Sequence, residues 1–219
     1  MISIEYAHFD IASNEQEIKN ELNLINKYDI SVVSVLPHYI KSAKQLLKPD
    51  TSISCPIDYP CGILDTKSRV CATESIIKLG ANIVDIVVPS YFLSNRKYDK
   101  FRDDIKNIKN ITDQYKVKLR YIIEYRVYSY DLLYRICQIL MDYGIENVLP
   151  STGFGLDDIS DNIIAAALIN KKIPKLNIIC NGNIWTEKHI TLVEKANLSS
   201  IRVNSINAVE LLHKKWHTF

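Results

Sequence analysis

The sequence predicts a single (β/α)8 barrel, the α/β architecture known as the TIM barrel. Eight short apolar runs alternate with longer segments of helical periodicity within 219 residues. The runs are mostly apolar, without strict alternation of polar and apolar residues, as expected of parallel strands that are covered on both faces. A doubly wound open sheet is the alternative from this pattern alone. No linker or low-complexity segment interrupts residues 1–219, so we expect one TIM-barrel domain.

The predicted strands are the runs richest in Val and Ile. They are Ser3–Ala7, Ser31–Val35, Ser52–Ile57, Ile83–Val88, Lys118–Glu124, Asn147–Pro150, Asn177–Cys180 and Ser200–Val203. In a barrel of this kind, ligands bind at the carboxyl ends of the strands. The residues that follow each run are therefore the candidates for a functional site.

The predicted helices are amphipathic segments between these runs, for example Gln16–Lys27, Lys67–Lys78, Lys100–Gln114 and Ser129–Tyr143. Glycine follows two of them, as expected at helix ends.

The composition narrows the functional class. Hydrophobic residues make up 47% of the chain, which is enough for one sizeable core, and the net charge of +2 gives no sign of nucleic-acid binding. No apolar run approaches the roughly 18–20 residues of a membrane span, and the N-terminus lacks the features of a signal peptide. The five cysteines form no C-x-x-C pair. We expect a cytoplasmic protein with no membrane partner, no metal and no cofactor.

One segment carries most of the functional information. Residues 148–155 read Val-Leu-Pro-Ser-Thr-Gly-Phe-Gly, which resembles the V-K-T-S-T-G-F-G motif of the deoxyribose-phosphate aldolase family. Further segments resemble other motifs of that family in the same order, namely Ser31–Ile40, Asp58–Gly62, Gly80–Val87, Leu119–Glu124 and Asn181–Thr186. The resemblance covers nearly the whole chain and also implies a TIM barrel.

The resemblance places two aliphatic residues where the family has catalytic lysines. Leu149 stands at the position of the lysine that forms the Schiff base, and Ile179 stands at the position of the second lysine. Neither side chain has an amine, so neither can form an imine. The family's acid is retained as Asp85, and a further lysine on the fifth strand is replaced by Arg120. We therefore expect no aldolase activity by the family's mechanism.

The resemblance also implies a phosphate site at the barrel mouth. Backbone N–H groups and a helix N-terminus can hold an anion without lysine. The candidate residues for binding the substrate or its phosphate are Ser151, Thr152, Gly153, Gly155, Gly182, Asn183, Asn204, Ser205 and Arg126. Asn183 replaces the family's second glycine, and Asn204 replaces a hydroxyl. The alternative is that Gly153 and Gly155 supply turn geometry only.

The candidate catalytic residues are charged groups near the ends of strands, namely Asp85, Arg120, Glu124 and Asp58. Acid–base catalysis needs a group with a tuned pKa beside the substrate. Next to Leu149 and Ile179, the pKa of Asp85 is expected to rise unless Arg120 pairs with it. A structural Asp85–Arg120 ion pair is the alternative.

The sequence leaves three functional hypotheses. The first is a repurposed lyase, cyclase or condensing enzyme that uses acid–base chemistry on a small anionic carbonyl or sugar-like substrate. The second is an inactive relative that binds a small molecule or regulates a partner subunit. The third is an active aldolase whose lysine lies elsewhere, with Lys67 as the candidate. A homodimer is left open, and no nucleic-acid partner is expected.

Overall fold

The computed structural model describes residues 2–154 and 158–217. Eight parallel strands form a closed barrel in sequential order, β1 to β8, and β8 pairs with β1. The predicted (β/α)8 barrel is therefore confirmed, and the open sheet is excluded because no strand in the described part of the chain is left at an edge.

All eight predicted strands are present, with ends that shift by at most two residues. They are β1 Ser3–His8, β2 Val32–Val35, β3 Ser52–Ile57, β4 Ile83–Val87, β5 Lys118–Ile122, β6 Asn147–Leu149, β7 Asn177–Asn181 and β8 Ser200–Val203. The largest difference is at β5, which was predicted to reach Glu124. Glu124 instead has a left-handed backbone with φ 45°, which ends the extended conformation.

The helices surround the barrel. A 3-10 turn covers Pro37–Tyr39, and the α-helices are α1 Glu15–Ile25, α2 Ile40–Leu46, α3 Thr66–Leu79, α4 Ser90–Ser94, α5 Tyr98–Gln114, α6 Tyr130–Asp142, α7 Ile159–Lys172, α8 Glu187–Lys195 and α9 Ile206–His217. Asn14 and Glu17 form a capping box at the start of α1, and Gly80 ends α3 with φ 117°. These local signals explain why the predicted helix ends were nearly correct.

Side chains of the strands fill the barrel in layers because alternate residues point to the same face. Asp85 and Val87 are two residues apart on β4, and Arg120 and Ile122 are two residues apart on β5. Asp85 is paired in register with Arg120, and Val87 with Ile122. The interior therefore has a charged layer with an apolar layer directly above it, towards the carboxyl ends of the strands.

No helix in the described ranges has both the length and the apolar character needed to cross a bilayer.

Gly62 and Gly144 offer a matched test of how the loops are packed. Both have left-handed backbones, with φ 63° and 73°. A Cβ at Gly62 would lie 2.1 Å from the carbonyl oxygen of Val88, whereas a Cβ at Gly144 would meet nothing within 4 Å. We expect Gly144→Ala to cost about 1–2 kcal/mol of backbone strain, and Gly62→Ala to cost about 1–3 kcal/mol more through overlap.

Urea unfolding of both variants measures this difference. Equal losses in the free energy of unfolding would show that the loop carrying Gly62 shifts freely to accept a side chain.

Candidate functional site

A cavity of about 550 Å³ opens at the carboxyl ends of the strands. Residues that follow β1, β3, β6, β7 and β8 line it, together with side chains from the strands themselves. This is the position at which barrels of this class bind their ligands. The cavity is the candidate functional site.

The floor of the cavity is apolar. Val87, Ile122, Leu149 and Ile179 form one buried cluster, and the ring of Tyr59 packs against it. Leu149 is 1% exposed and Ile179 2% exposed, so both positions that the resemblance aligns with lysines hold tightly packed aliphatic side chains. Leu149 and Ile122 face the cavity directly.

The structure places no amine at this floor. Every lysine of the chain falls within the described residues, and none of them is buried or lines the cavity. Lys67, the candidate for a relocated nucleophile, lies exposed in the first turn of α3.

The charged layer beneath the floor joins four strands. Asp85 accepts hydrogen bonds from Arg120 Nε at 2.6 Å and Nη2 at 2.9 Å, and Arg202 Nη2 lies 2.8 Å from its second oxygen. Glu5 accepts from Arg120 Nη1 at 2.8 Å and from Arg202 Nη2 at 2.7 Å. Ser54 also donates to Asp85. None of these four charged residues is more than 4% exposed.

This pairing decides the protonation of the layer. Burial raises the pKa of Asp85, but Arg120 and Arg202 outweigh burial and hold that pKa well below its usual range. Burial lowers the pKa of Arg120, but Asp85 and Glu5 outweigh burial and raise it. Asp85 is therefore ionised, as Arg120 is, in a bidentate ion pair.

The pKa of Asp85 was expected to rise unless Arg120 paired with it, and Arg120 does pair with it. The structure shows the structural ion pair that was the alternative. Among the described residues that line the cavity, neither Asp85 nor Arg120 appears, because the apolar floor lies above them.

Glu124 organises the loop after β6. One of its carboxylate oxygens accepts from the backbone N–H of Thr152 at 2.9 Å and from the Thr152 hydroxyl at 2.6 Å. Its carboxylate is therefore committed to holding the Ser-Thr-Gly segment, and the structure does not bring it into the lining of the cavity.

Asp58 lies apart from the other candidates. It forms a buried ion pair with Arg69 and accepts from the backbone N–H groups of Ile63 at 2.9 Å and Leu64 at 3.1 Å. Arg69 Nε is also 3.2 Å from Asp104. Asp58 thus orders the loop between β3 and α3, and the structure does not group it with the cavity.

The predicted binding residues divide into two groups. Those that line the cavity are Ser151, Thr152, Gly153, Gly182, Asn183 and Asn204. Ser205 lies at the start of α9, where its carbonyl accepts from Val209, and Arg126 is exposed, 3.9 Å from Asp161. Gly155 lies outside the described residues.

Gly182 has a packing role that the sequence did not reveal. Its φ is 139°, and a Cβ there would come within 2.8 Å of the Ile159 side chain on α7. Gly182 therefore permits close approach of α7 to the end of β7, whatever it contributes to a ligand.

His8 follows the first predicted strand at the expected barrel mouth, but it was not among the candidate catalytic or binding residues. His8 is buried at the end of β1, lines the cavity, and places Nδ1 2.8 Å from Glu21 on α1. Its Nε2 is buried and has no hydrogen-bond partner. Burial lowers the pKa of His8, which Asp10 and Glu17 oppose only in part. The signal in the sequence that could have found this pair is a histidine at the end of a strand and an acidic residue, Glu21, on the helix that follows.

Aromatic rings form much of the cavity wall. Phe9, Tyr59, Phe154 and Trp185 all line it, and the ring centroids of Phe9 and Tyr59 are 5.1 Å apart. Burial raises the pKa of Tyr59 to about 12, so its hydroxyl stays protonated and donates to the carbonyl of Thr152 at 3.1 Å.

Asp85→Asn tests the charged layer. It leaves Arg120 and Arg202 with one carboxylate between them, so we expect a loss of about 3–5 kcal/mol in the free energy of unfolding at neutral pH. Asp99→Asn is the control, because Asp99 is 98% exposed and its loss should change stability by less than about 0.5 kcal/mol.

The pH dependence of unfolding tests whether the pKa of Asp85 is lowered in the folded state. Because the folded-state pKa of Asp85 is depressed, its contribution is present above the unfolded pKa and is lost as the pH falls towards the folded value. The variant should lose less stability on acidification than the parent chain. Guanidinium unfolding at several pH values measures this, and parallel curves would contradict the ion-pair assignment.

Comparisons with known proteins agree with the geometry. No family model matches the chain. A deoxyribose-phosphate aldolase of Caldicellulosiruptor saccharolyticus is 27% identical over 206 residues, covering 92% of each chain. A deoxyribose-phosphate aldolase of Metamycoplasma arthritidis is 30% identical over 193 residues, covering 86% of this chain and 87% of the relative.

Solved structures show the same fold. An aldolase described as QR15 superposes with a TM-score of 0.86 at 21% identity, covering 98% of this chain and 96% of that one. The deoxyribose phosphate aldolase of Aeropyrum pernix, described as a unique tetramer, gives a TM-score of 0.82 at 16% identity over 98% of this chain and 90% of its own. With a curated relative at 30% identity along most of both chains, this protein belongs to the deoxyribose-phosphate aldolase family, as a divergent member.

Proposed function

We propose that the protein is a lyase-type enzyme of its family that acts without a Schiff base on a small carbonyl compound in the mouth cavity. The observation that carries this is the packed apolar floor at Leu149 and Ile179 beneath an open, polar-walled cavity. An imine mechanism needs an amine at that floor. The remaining polar groups of the wall suit acid–base chemistry.

His8 is the group in this wall best suited to move a proton. Glu21 fixes the imidazole by accepting from Nδ1, which leaves the lone pair on Nε2. Because burial favours neutral imidazole, His8 is a base at neutral pH. A carboxylate that orients a histidine in this way is a recurring feature of acid–base catalysis.

The four residues expected to be catalytic then support the site. Asp85 and Arg120 hold the interior beneath the floor, Glu124 holds the loop that carries Ser151 and Thr152, and Asp58 holds the loop after β3. Arg126 and Ser205 lie outside the cavity lining and have no direct role in the proposed chemistry.

A second candidate function is binding without catalysis, as a small-molecule-binding or regulatory subunit. The observation that favours it is that Asp85, Glu124 and Asp58 are all committed to internal hydrogen bonds. The two functions differ in whether the bound compound undergoes turnover.

Reductive trapping tests the absence of imine chemistry. The parent chain, incubated with 2-deoxyribose 5-phosphate or acetaldehyde and cyanoborohydride, should give no stoichiometric adduct by intact mass spectrometry. Leu149→Lys should gain an adduct, because an amine in this apolar floor would be held partly neutral and nucleophilic.

Leu168→Lys is the matched control, since Leu168 lies on α7 and is 39% exposed. It should give no more adduct than the parent chain. A saturable adduct on the parent chain, mapped to a lysine, would overturn the proposed mechanism.

Proton exchange tests His8. In D2O, the protein should exchange hydrogen at the carbon next to the carbonyl of a small aldehyde, as followed by NMR. The base must be neutral, so the rate should fall as the pH drops through the His8 pKa, which lies below its usual value of about 6.5.

His8→Gln should lower the exchange rate roughly 100-fold. His38→Gln, at an exposed histidine outside the cavity lining, should leave the rate unchanged. Binding of the aldehyde without exchange above background would favour the non-catalytic function.

A further inference from the structure

We infer that the mouth cavity takes an uncharged polyhydroxy carbonyl compound, an unphosphorylated sugar or close analogue, in preference to a sugar phosphate. This deepens the proposed function and rests on the same cavity. It replaces the expectation of an anionic substrate. Four features of the described residues support it.

The first feature is the described part of the loop after β6, in which three consecutive backbone donors already have acceptors. Thr152 N–H donates to Glu124, Gly153 N–H to the Ser151 hydroxyl at 3.0 Å, and Phe154 N–H to the Thr152 hydroxyl at 3.2 Å. A phosphate would have to displace these acceptors, and one of them is a carboxylate that repels it.

The second feature is at the ends of β7 and β8. Asn204 N–H donates to Oδ1 of Asn183 at 3.1 Å. Asn183 stands where the resemblance has a glycine. Its side-chain oxygen therefore accepts from the Asn204 N–H, which would otherwise be free to donate to an anion. Gly182 N–H is also bonded, to the carbonyl of Arg202 at 2.9 Å.

The third feature is the charge of the cavity. Among the described lining residues, Arg202 is the one permanently charged cation, and Arg202 is shared between Glu5 and Asp85. Asp10 and Glu21 also line the cavity. Nothing in this lining compensates a phosphate dianion, so its desolvation would be unfavourable.

The fourth feature favours an uncharged ligand directly. Asn181 is 6% exposed, lines the cavity at the end of β7, and has a side-chain oxygen without a hydrogen-bond partner. Asn183 and Asn204 add amides near it, and the rings of Phe154 and Trp185 offer apolar faces. Amides for hydroxyl groups and rings for C–H faces are complementary to a neutral sugar.

Isothermal titration calorimetry of the full chain tests this inference. The probes are 2-deoxyribose, 2-deoxyribose 5-phosphate and inorganic phosphate. We expect 2-deoxyribose to bind at least tenfold more tightly than its 5-phosphate, and inorganic phosphate not to compete. Tighter binding of the 5-phosphate, or no binding of the free sugar, would overturn the inference.

Three variants, one of them a control, locate the effect. Asn181→Leu should weaken sugar binding at least tenfold, whereas Asn177→Leu, at the exposed start of the same strand, should not. Asn183→Gly should raise the affinity for the 5-phosphate about tenfold, because it frees the Asn204 N–H. An unchanged affinity in Asn183→Gly would show that Asn183 does not exclude the anion.

The same titrations keep this inference separate from the proposed function. Binding of the free sugar without proton exchange would remove the catalytic proposal and leave the ligand class intact. Preferred binding of the 5-phosphate, with exchange, would remove the ligand class and leave the catalytic proposal intact.

Discussion

The rest of the barrel depends on four buried charges that neutralise one another. Glu5 and Asp85 contribute two negative charges, and Arg120 and Arg202 contribute two positive ones. Each comes from a different strand, so the network ties β1, β4, β5 and β8 together. Removing one member would leave a buried charge uncompensated, which is why the four positions constrain each other.

The apolar floor of the cavity lies directly above that network. A neutral, fully paired layer needs no solvent, so, although Arg202 of the same layer also lines the cavity, aliphatic side chains can cover Asp85 and Arg120. Leu149 and Ile179 do this where the family resemblance has lysines. These side chains leave no amine at the floor of the cavity, and Asp85 beneath them pairs with Arg120 and does not line the cavity. The proposed mechanism without an imine rests on this arrangement.

At the mouth of the cavity, too, polar groups form hydrogen bonds with one another. Glu124, Asn183 and the hydroxyls of Ser151 and Thr152 accept hydrogen bonds from backbone donors that would otherwise face an anion. What remains open to a ligand is an amide, a histidine held by a carboxylate, and aromatic walls. These groups are the basis for the proposed uncharged, hydrogen-bonding ligand and for the proposed proton transfer without a lysine.

The sequence by itself predicted the fold, and it has Leu149 and Ile179 at the two positions that the resemblance aligns with lysines. Continuous apolar strands, helix-ending glycines and ordered motifs are local or pairwise signals, and a leucine has no amine in any conformation. It predicted six lining residues of the cavity because motifs mark the strand ends. Only the tertiary structure decided what the charged residues do. Whether Asp85 is a free acid or a paired carboxylate depends on Arg120, Arg202 and Glu5, which are distant in the chain, and His8 gains its character from Glu21 on a separate helix. Burial and partners set a side chain's pKa, and both arise only when the barrel closes.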